Sequence, residues 1–142
     1  MTISRASAVW EGKLKDGRGN YRASSGAFAS PYSFQTRFEG ATGSTPEELI
    51  AAAFASCLSM ALSADLEKAG TTATRVETEA ACTIEPVGGK STITTMALKV
   101  RGRVSGLDQA GFQKAAEAAR DNCPVSRALK GNVTITLDAR LE

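Results

Sequence analysis

Cys57 and Cys123 occupy unlike settings, and the contrast limits the chemistry open to the chain. Cys57 stands in an apolar, alanine-rich run, Ala51-Ala52-Ala53-Phe54-Ala55-Ser56-Cys57-Leu58, that extends from Leu49 to Leu62. Cys123 stands at a helix exit, in Asn122-Cys123-Pro124-Val125-Ser126. The chain holds 17 Lys and Arg but no His. Histidine is the usual base beside a nucleophilic Ser or Cys, so those arrangements, cysteine acyl transfer included, are disfavoured. Two distant thiols and plentiful arginine point instead to thiol redox chemistry.

Each thiol also has a plainer explanation. Free cysteine behaves as a small hydrophobe, and one set among Ala, Leu and Met is by default a core residue. A reactive cysteine must be thiolate near neutrality, although a free thiol ionises only at roughly pH 8.5. The helix dipole fades after the first turn, and Cys57 lies well beyond it, so a cation from elsewhere is required. Cys123 precedes a proline, which favours extended backbone and predicts an accessible thiol. Cys82, in Ala81-Cys82-Thr83-Ile84, fits a strand and a core-filling role. No cysteine spacing is CxxC, and the missing histidine further argues against a metal site.

The elements that must position these residues follow from pattern. Residues 6–24 alternate loosely around Lys15-Asp16-Gly17-Arg18-Gly19, a hairpin signature, and residues 32–38 are expected to form a third strand. Thr45 then supplies a hydroxyl cap, Pro46 a first helical position, and Glu47 and Glu48 acids for the first turn. The helix so opened should run to about Ala69 and stop at Gly70. It is apolar almost all round, which predicts a buried central helix. Residues 72–86 and 91–104, rich in Thr, Val and Ile, flank Val87-Gly88-Gly89-Lys90 as a second hairpin. An amphipathic helix is expected over 107–122, a helical turn over 124–130 and a last strand over 132–141. The order β-β-β-α-β-β-α-β describes an α+β fold, with antiparallel sheet packed on a long buried helix.

With 142 residues, 42% hydrophobic and 23% charged, the chain is expected to form one domain over 1–142 with a sizeable core. A net charge of +2 gives no reason to expect nucleic acid or an acidic membrane as a partner. The apolar run 49–62 is shorter than the roughly 20 residues that span a bilayer. The start, Met1-Thr2-Ile3-Ser4-Arg5-Ala6, lacks a signal-peptide pattern, and three cysteines do not suggest a disulfide scaffold. The expected compartment is a reducing cytosol.

Pro46-Glu47-Glu48-Leu49-Ile50-Ala51-Ala52-Ala53 followed by Ala55-Ser56-Cys57, together with Asn122-Cys123-Pro124-Val125-Ser126, resembles the paired signature of the OsmC/Ohr family of thiol peroxidases. Thr36-Arg37-Phe38-Glu39-Gly40 resembles the OsmC branch, and the likeness extends over the whole chain. Thr45 and Phe54 depart from the pattern, in which Asn and His or Tyr are frequent. The resemblance implies that Cys57 is the peroxidatic cysteine and Cys123 the resolving one. It further implies that Arg37 holds the thiolate and Glu47 orients Arg37.

Also implied are an intertwined homodimer with sites at the subunit interface, and no cofactor. The expected substrates are organic hydroperoxides, with hydrogen peroxide a poorer one. The expected reductant is a small dithiol or a lipoylated protein. Phe54, Leu58 and Met60, with Phe28 or Phe34, could line a pocket for an alkyl tail, although core packing explains most of them. Spacing adds one independent point. Ten residues of helix rise about 15 Å, so Glu47 and Cys57 cannot meet within one straight helix. Glu47 would need a helix break, or a second chain, to share a site with Cys57. The alternative function is a non-enzymatic dimeric binding module whose thiols are structural.

Overall fold

The computed structural model describes residues Met1–Glu142, which divide into two compact units, Met1–Leu49 and Ile50–Glu142. In the first unit β1 (Ala6–Glu11) and β2 (Arg18–Ala23) form the expected hairpin, and β3 (Ala29–Tyr32) adds antiparallel to β2. The strand expected over 32–38 ends at Tyr32, and Phe34–Phe38 is instead a short helix, α1. The reason is local. Ser33 closes a capping box, its hydroxyl accepting the Thr36 N–H at 3.1 Å while its own N–H donates to the Thr36 hydroxyl at 3.0 Å. Phe34 and Phe38, one turn apart, pack with ring centroids 5.0 Å apart and planes tilted by 45°, a pairing that an extended chain would separate.

The long helix α2 (Pro46–Lys68) starts as its sequence dictates, with the Glu48 N–H donating to the Thr45 hydroxyl at 3.0 Å. It ends before Gly70, where the Thr71 N–H reaches back to the Leu66 carbonyl at 2.9 Å. Phe54, Leu58, Leu62 and Leu66 form one fully buried ridge at a spacing of four. Each contributes about 2 kcal/mol by leaving water, enough together to fix the rotation of the helix about its axis. The opposite face departs from the expectation of burial all round. Ala52, Ala53, Ser56, Met60 and Ala64 are exposed, Met60 at 74%. At 23 residues the helix has the length and hydropathy to cross a membrane. Its ridge instead packs into the core of the second unit.

In that unit β4 (Ala73–Val87) and β5 (Lys90–Val104) pair antiparallel along their whole length. Gly88 and Gly89 form the two-residue turn, with φ of +58° and +78°, the left-handed conformation that a tight hairpin requires. After α3 (Gln109–Asn122) and α4 (Pro124–Leu129), β6 (Thr134–Leu141) joins β5 in parallel, giving the order β4-β5-β6. The expectation of antiparallel sheet therefore fails at the last strand. Two helices intervene, and a crossover of that length returns the chain in the same direction as β5. Register aligns one apolar face across the three strands: Cys82, Met96 and Ile135 in one row, Ala80, Leu98 and Leu137 in the next. That face meets the α2 ridge together with Phe112, Ala116 and Ala119 of α3.

Candidate functional site

The first unit builds an arginine–carboxylate pair. Arg37, near the end of α1, donates from Nε to Glu47 Oε1 at 3.0 Å and from Nη2 to the same oxygen at 2.6 Å. Glu47 lies in the first turn of α2, where unpaired N–H groups favour a carboxylate. Its side chain is only 6% exposed, against 36% for Arg37. A buried carboxylate demands a permanent cation, and a guanidinium meets that demand with fixed, planar geometry. The Arg37 guanidinium also lies 5.3 Å from the Phe38 ring centre. Beside it opens a cleft of about 200 Å³, walled by Trp10, Leu14, Tyr32, Phe34 and Phe38. Of these walls only Phe34 was expected from sequence. Trp10 and Tyr32 come from separate strands, so no motif links them, and the helical turn that brings in Phe38 depends on the Ser33 cap.

The second unit brings two thiols together. Cys57 is half-buried on α2. Cys123 ends α3 and begins α4, with φ −63° and ψ 139°, the extended backbone its proline dictates. The accessible thiol expected there is not found, because Cys123 is 1% exposed. The chain turns between the two helices, so the residue at the bend points inward while Val125 and Leu129 of α4 pack against the core. The Cys123 sulfur accepts the Ser126 N–H at 3.3 Å and has Cys57 as an interacting neighbour. The two are not joined in a disulfide. Burial pushes the Cys123 thiol above its ordinary range, partly opposed by the Ser126 N–H, and the neighbouring Cys57 pushes it further up. Ser126 escaped sequence reasoning because its contribution is a backbone N–H set by the turn of α4.

The four expected site residues thus form two pairs, Arg37 with Glu47 in one unit and Cys57 with Cys123 in the other. No break interrupts α2 between Glu47 and Cys57. Of the residues expected to line a pocket, Phe54 and Leu58 are fully buried in the core, whereas Met60 and Phe28 are exposed. Cys82 faces the core side of β4 opposite Met96.

Known proteins extend these observations. A family model described as OsmC-like protein matches residues 39–138, a stretch that includes Glu47, Cys57 and Cys123 and begins just after Arg37. The chain is 44% identical over 137 residues to peroxiredoxin OsmC of Escherichia coli K12, covering 95% of this chain and 96% of that one. It is 31% identical over 105 residues to the organic hydroperoxide resistance protein OhrB of Bacillus subtilis, covering 72% and 74% of the two chains. The crystal structure of that OhrB shares the fold, with a TM-score of 0.73 over 96% of this chain and 98% of the other. An OsmC-like protein from Mycoplasma pneumoniae superposes with a TM-score of 0.76 over 99% and 97% at 13% identity, a likeness of fold alone.

Proposed function

The chain belongs to the OsmC-like family, and from that membership and the two residue pairs we propose that it is a thiol-dependent peroxidase acting on organic hydroperoxides, with hydrogen peroxide a poorer substrate. The relatives named peroxiredoxin and organic hydroperoxide resistance protein support peroxide reduction as the class of reaction. The observation that carries the reading is the meeting of Cys57 and Cys123, far apart in sequence, one half-buried and one fully buried.

Cys57 is the attacking thiolate. It takes the distal peroxide oxygen, forming the S–O bond of a sulfenic acid as the O–O bond breaks, and the alkoxide leaves as an alcohol after taking up a proton. Arg37 supplies the positive charge that favours the thiolate and meets the charge developing on oxygen. Glu47 holds the guanidinium in place. Cys123, kept protonated by burial until needed, attacks the sulfenic sulfur, and water leaves as the Cys57–Cys123 disulfide forms. A dithiol, small or borne on a lipoylated protein, then reopens the bond by exchange and is itself oxidised to a disulfide. The aromatic cleft beside Arg37 suits the apolar part of an alkyl or aryl hydroperoxide.

The working unit is a homodimer. An unbroken α2 leaves the second chain as the route by which a Glu47 joins the site of a Cys57, and a second copy would cover the exposed Ala53–Met60 face. A reducing cytosol is the compartment that sustains such a cycle. Peroxide consumption with a dithiol tests the proposal. Saturable turnover of tert-butyl and cumene hydroperoxides above that of hydrogen peroxide is expected. A slow, unsaturable reaction with all three would contradict it.

A further inference from the structure

The Arg37–Glu47 pair joins two elements that cannot by themselves hold it. α1 has five residues, far below the length at which a helix is stable alone, and arginine is a long, rotamer-rich side chain. Something else must fix α1 beside the start of α2.

The loop between them supplies it. Gly43 has φ +149°, and a Cβ built there would lie 2.6 Å from the Thr36 methyl group. The loop backbone therefore passes directly against the residue preceding Arg37, at a contact only glycine permits. The Ala41 N–H donates to the Gln35 carbonyl at 3.1 Å, a second tie between loop and helix. At the far side of Gly43, the Tyr21 hydroxyl donates a hydrogen bond to the Ser44 hydroxyl. Tyr21 is itself set in the sheet, with its ring 5.7 Å from Tyr32 and 6.2 Å from Phe28. The side chain of the same Gln35 adds a third tie, its Nε2 donating to the Lys15 carbonyl at 3.0 Å. All these groups lie within Met1–Leu49.

We propose that Gly43 and the Tyr21–Ser44 hydrogen bond form a clasp that presses α1 into the position from which Arg37 reaches Glu47. Tyr21, Gly43 and Ser44 are then positioning residues for peroxide reduction, a role that rests on the proposed activation of Cys57 by Arg37. The clasp works through geometry. It contributes no charge, and its loss leaves both thiols in place but lets the guanidinium stray. A displacement of about 1 Å in a positioning group can cost on the order of a hundredfold in rate, and a loosened clasp should cost on the order of tenfold.

The test uses Tyr21→Phe, Ser44→Ala and Gly43→Ala in a Cys82→Ser, Cys123→Ser background, so that Cys57 is the only thiol. Two quantities are measured: the rate of Cys57 oxidation by cumene hydroperoxide, and the pH profile of its alkylation by iodoacetamide. Each clasp variant should oxidise on the order of tenfold more slowly, with alkylation moved to higher pH, and should add no further loss when combined with Arg37→Ala. Tyr21→Phe and Ser44→Ala each remove one hydroxyl, so they carry the test even if Gly43→Ala fails to fold. A shifted profile in Arg37→Ala beside unchanged profiles in Tyr21→Phe and Ser44→Ala overturns the clasp alone. An unchanged profile in Arg37→Ala itself overturns the activation by Arg37, and the clasp with it. Losses that multiply with those of Arg37→Ala would assign the hydroxyls a general structural role and also overturn the proposal.

Discussion

Arg37 does two things at once, and substitutions separate them. Its guanidinium neutralises a nearly buried Glu47, and in the proposed mechanism it stabilises charge on sulfur and oxygen. Arg37→Ala leaves that carboxylate without its cation and should cost about 1–3 kcal/mol of stability, besides slowing Cys57 oxidation on the order of a hundredfold. Arg37→Lys keeps the charge but loses the planar fork, so it should recover stability more fully than rate. Thermal melting and stopped-flow oxidation of the same samples check the split; equal recovery of both would leave no special task for the guanidinium. The four proposed site residues stand out in the sequence only through their motifs. Cys57 alone looked like core. Ser126 and the aromatic cleft were not legible, because a backbone N–H and a set of rings from three elements acquire meaning only once the chain is folded.

At the scale of elements, the bend between α3 and α4 places the second thiol. Pro124 ends one helix and starts the next, and the Ser126 N–H is left to the Cys123 sulfur. Burial raises the pKa of that thiol above its unfolded value, so the folded chain retains a proton that the unfolded chain gives up. The stability this contributes is whole below the unfolded value of roughly 8.5 and is lost as pH rises from there through the higher folded value. Reduced wild type should therefore lose more melting temperature between pH 8 and pH 10 than Cys123→Ser does. Equal losses would show that the thiol ionises alike in both states. Most elements could be read from sequence because their caps and turns are local: Thr45-Pro46, Gly70, Gly88-Gly89. Two could not. Residues 34–38 have aromatic residues that suit a strand, and a single capping box makes them helical. The direction of β6 is set by the two-helix crossover before it, not by its own alternation of Ile135 and Leu137.

For the whole molecule, the exposed face of α2 is the feature that most needs a partner. On a monomer, a charge at Ala53 or Met60 would be an ordinary surface change, within about 0.5 kcal/mol. In the proposed dimer it would be buried without a partner, at far greater cost. Ala53→Glu and Met60→Lys should therefore yield monomers by light scattering and abolish turnover; fully active monomers would reject the dimer. Mixed chains locate the acid. If Glu47 serves the partner's Cys57, a heterodimer of Glu47→Ala and Cys57→Ser chains retains one intact site and regains activity. If each chain serves itself, both mixed sites are defective and activity stays low.

The central claim is that peroxide oxidises Cys57 and that Cys123 then captures it, and intact mass after one equivalent of cumene hydroperoxide tests it most directly. Wild type and Cys82→Ser should each lose about two mass units as a single disulfide forms. Cys123→Ser should instead gain about 16 mass units, and then a further 16 with more peroxide, as the sulfenic acid climbs to sulfinic acid. Cys57→Ser should keep its mass. A disulfide that forms in Cys82→Ser only after prolonged air oxidation, or peroxide turnover that persists in Cys57→Ser, would contradict the account.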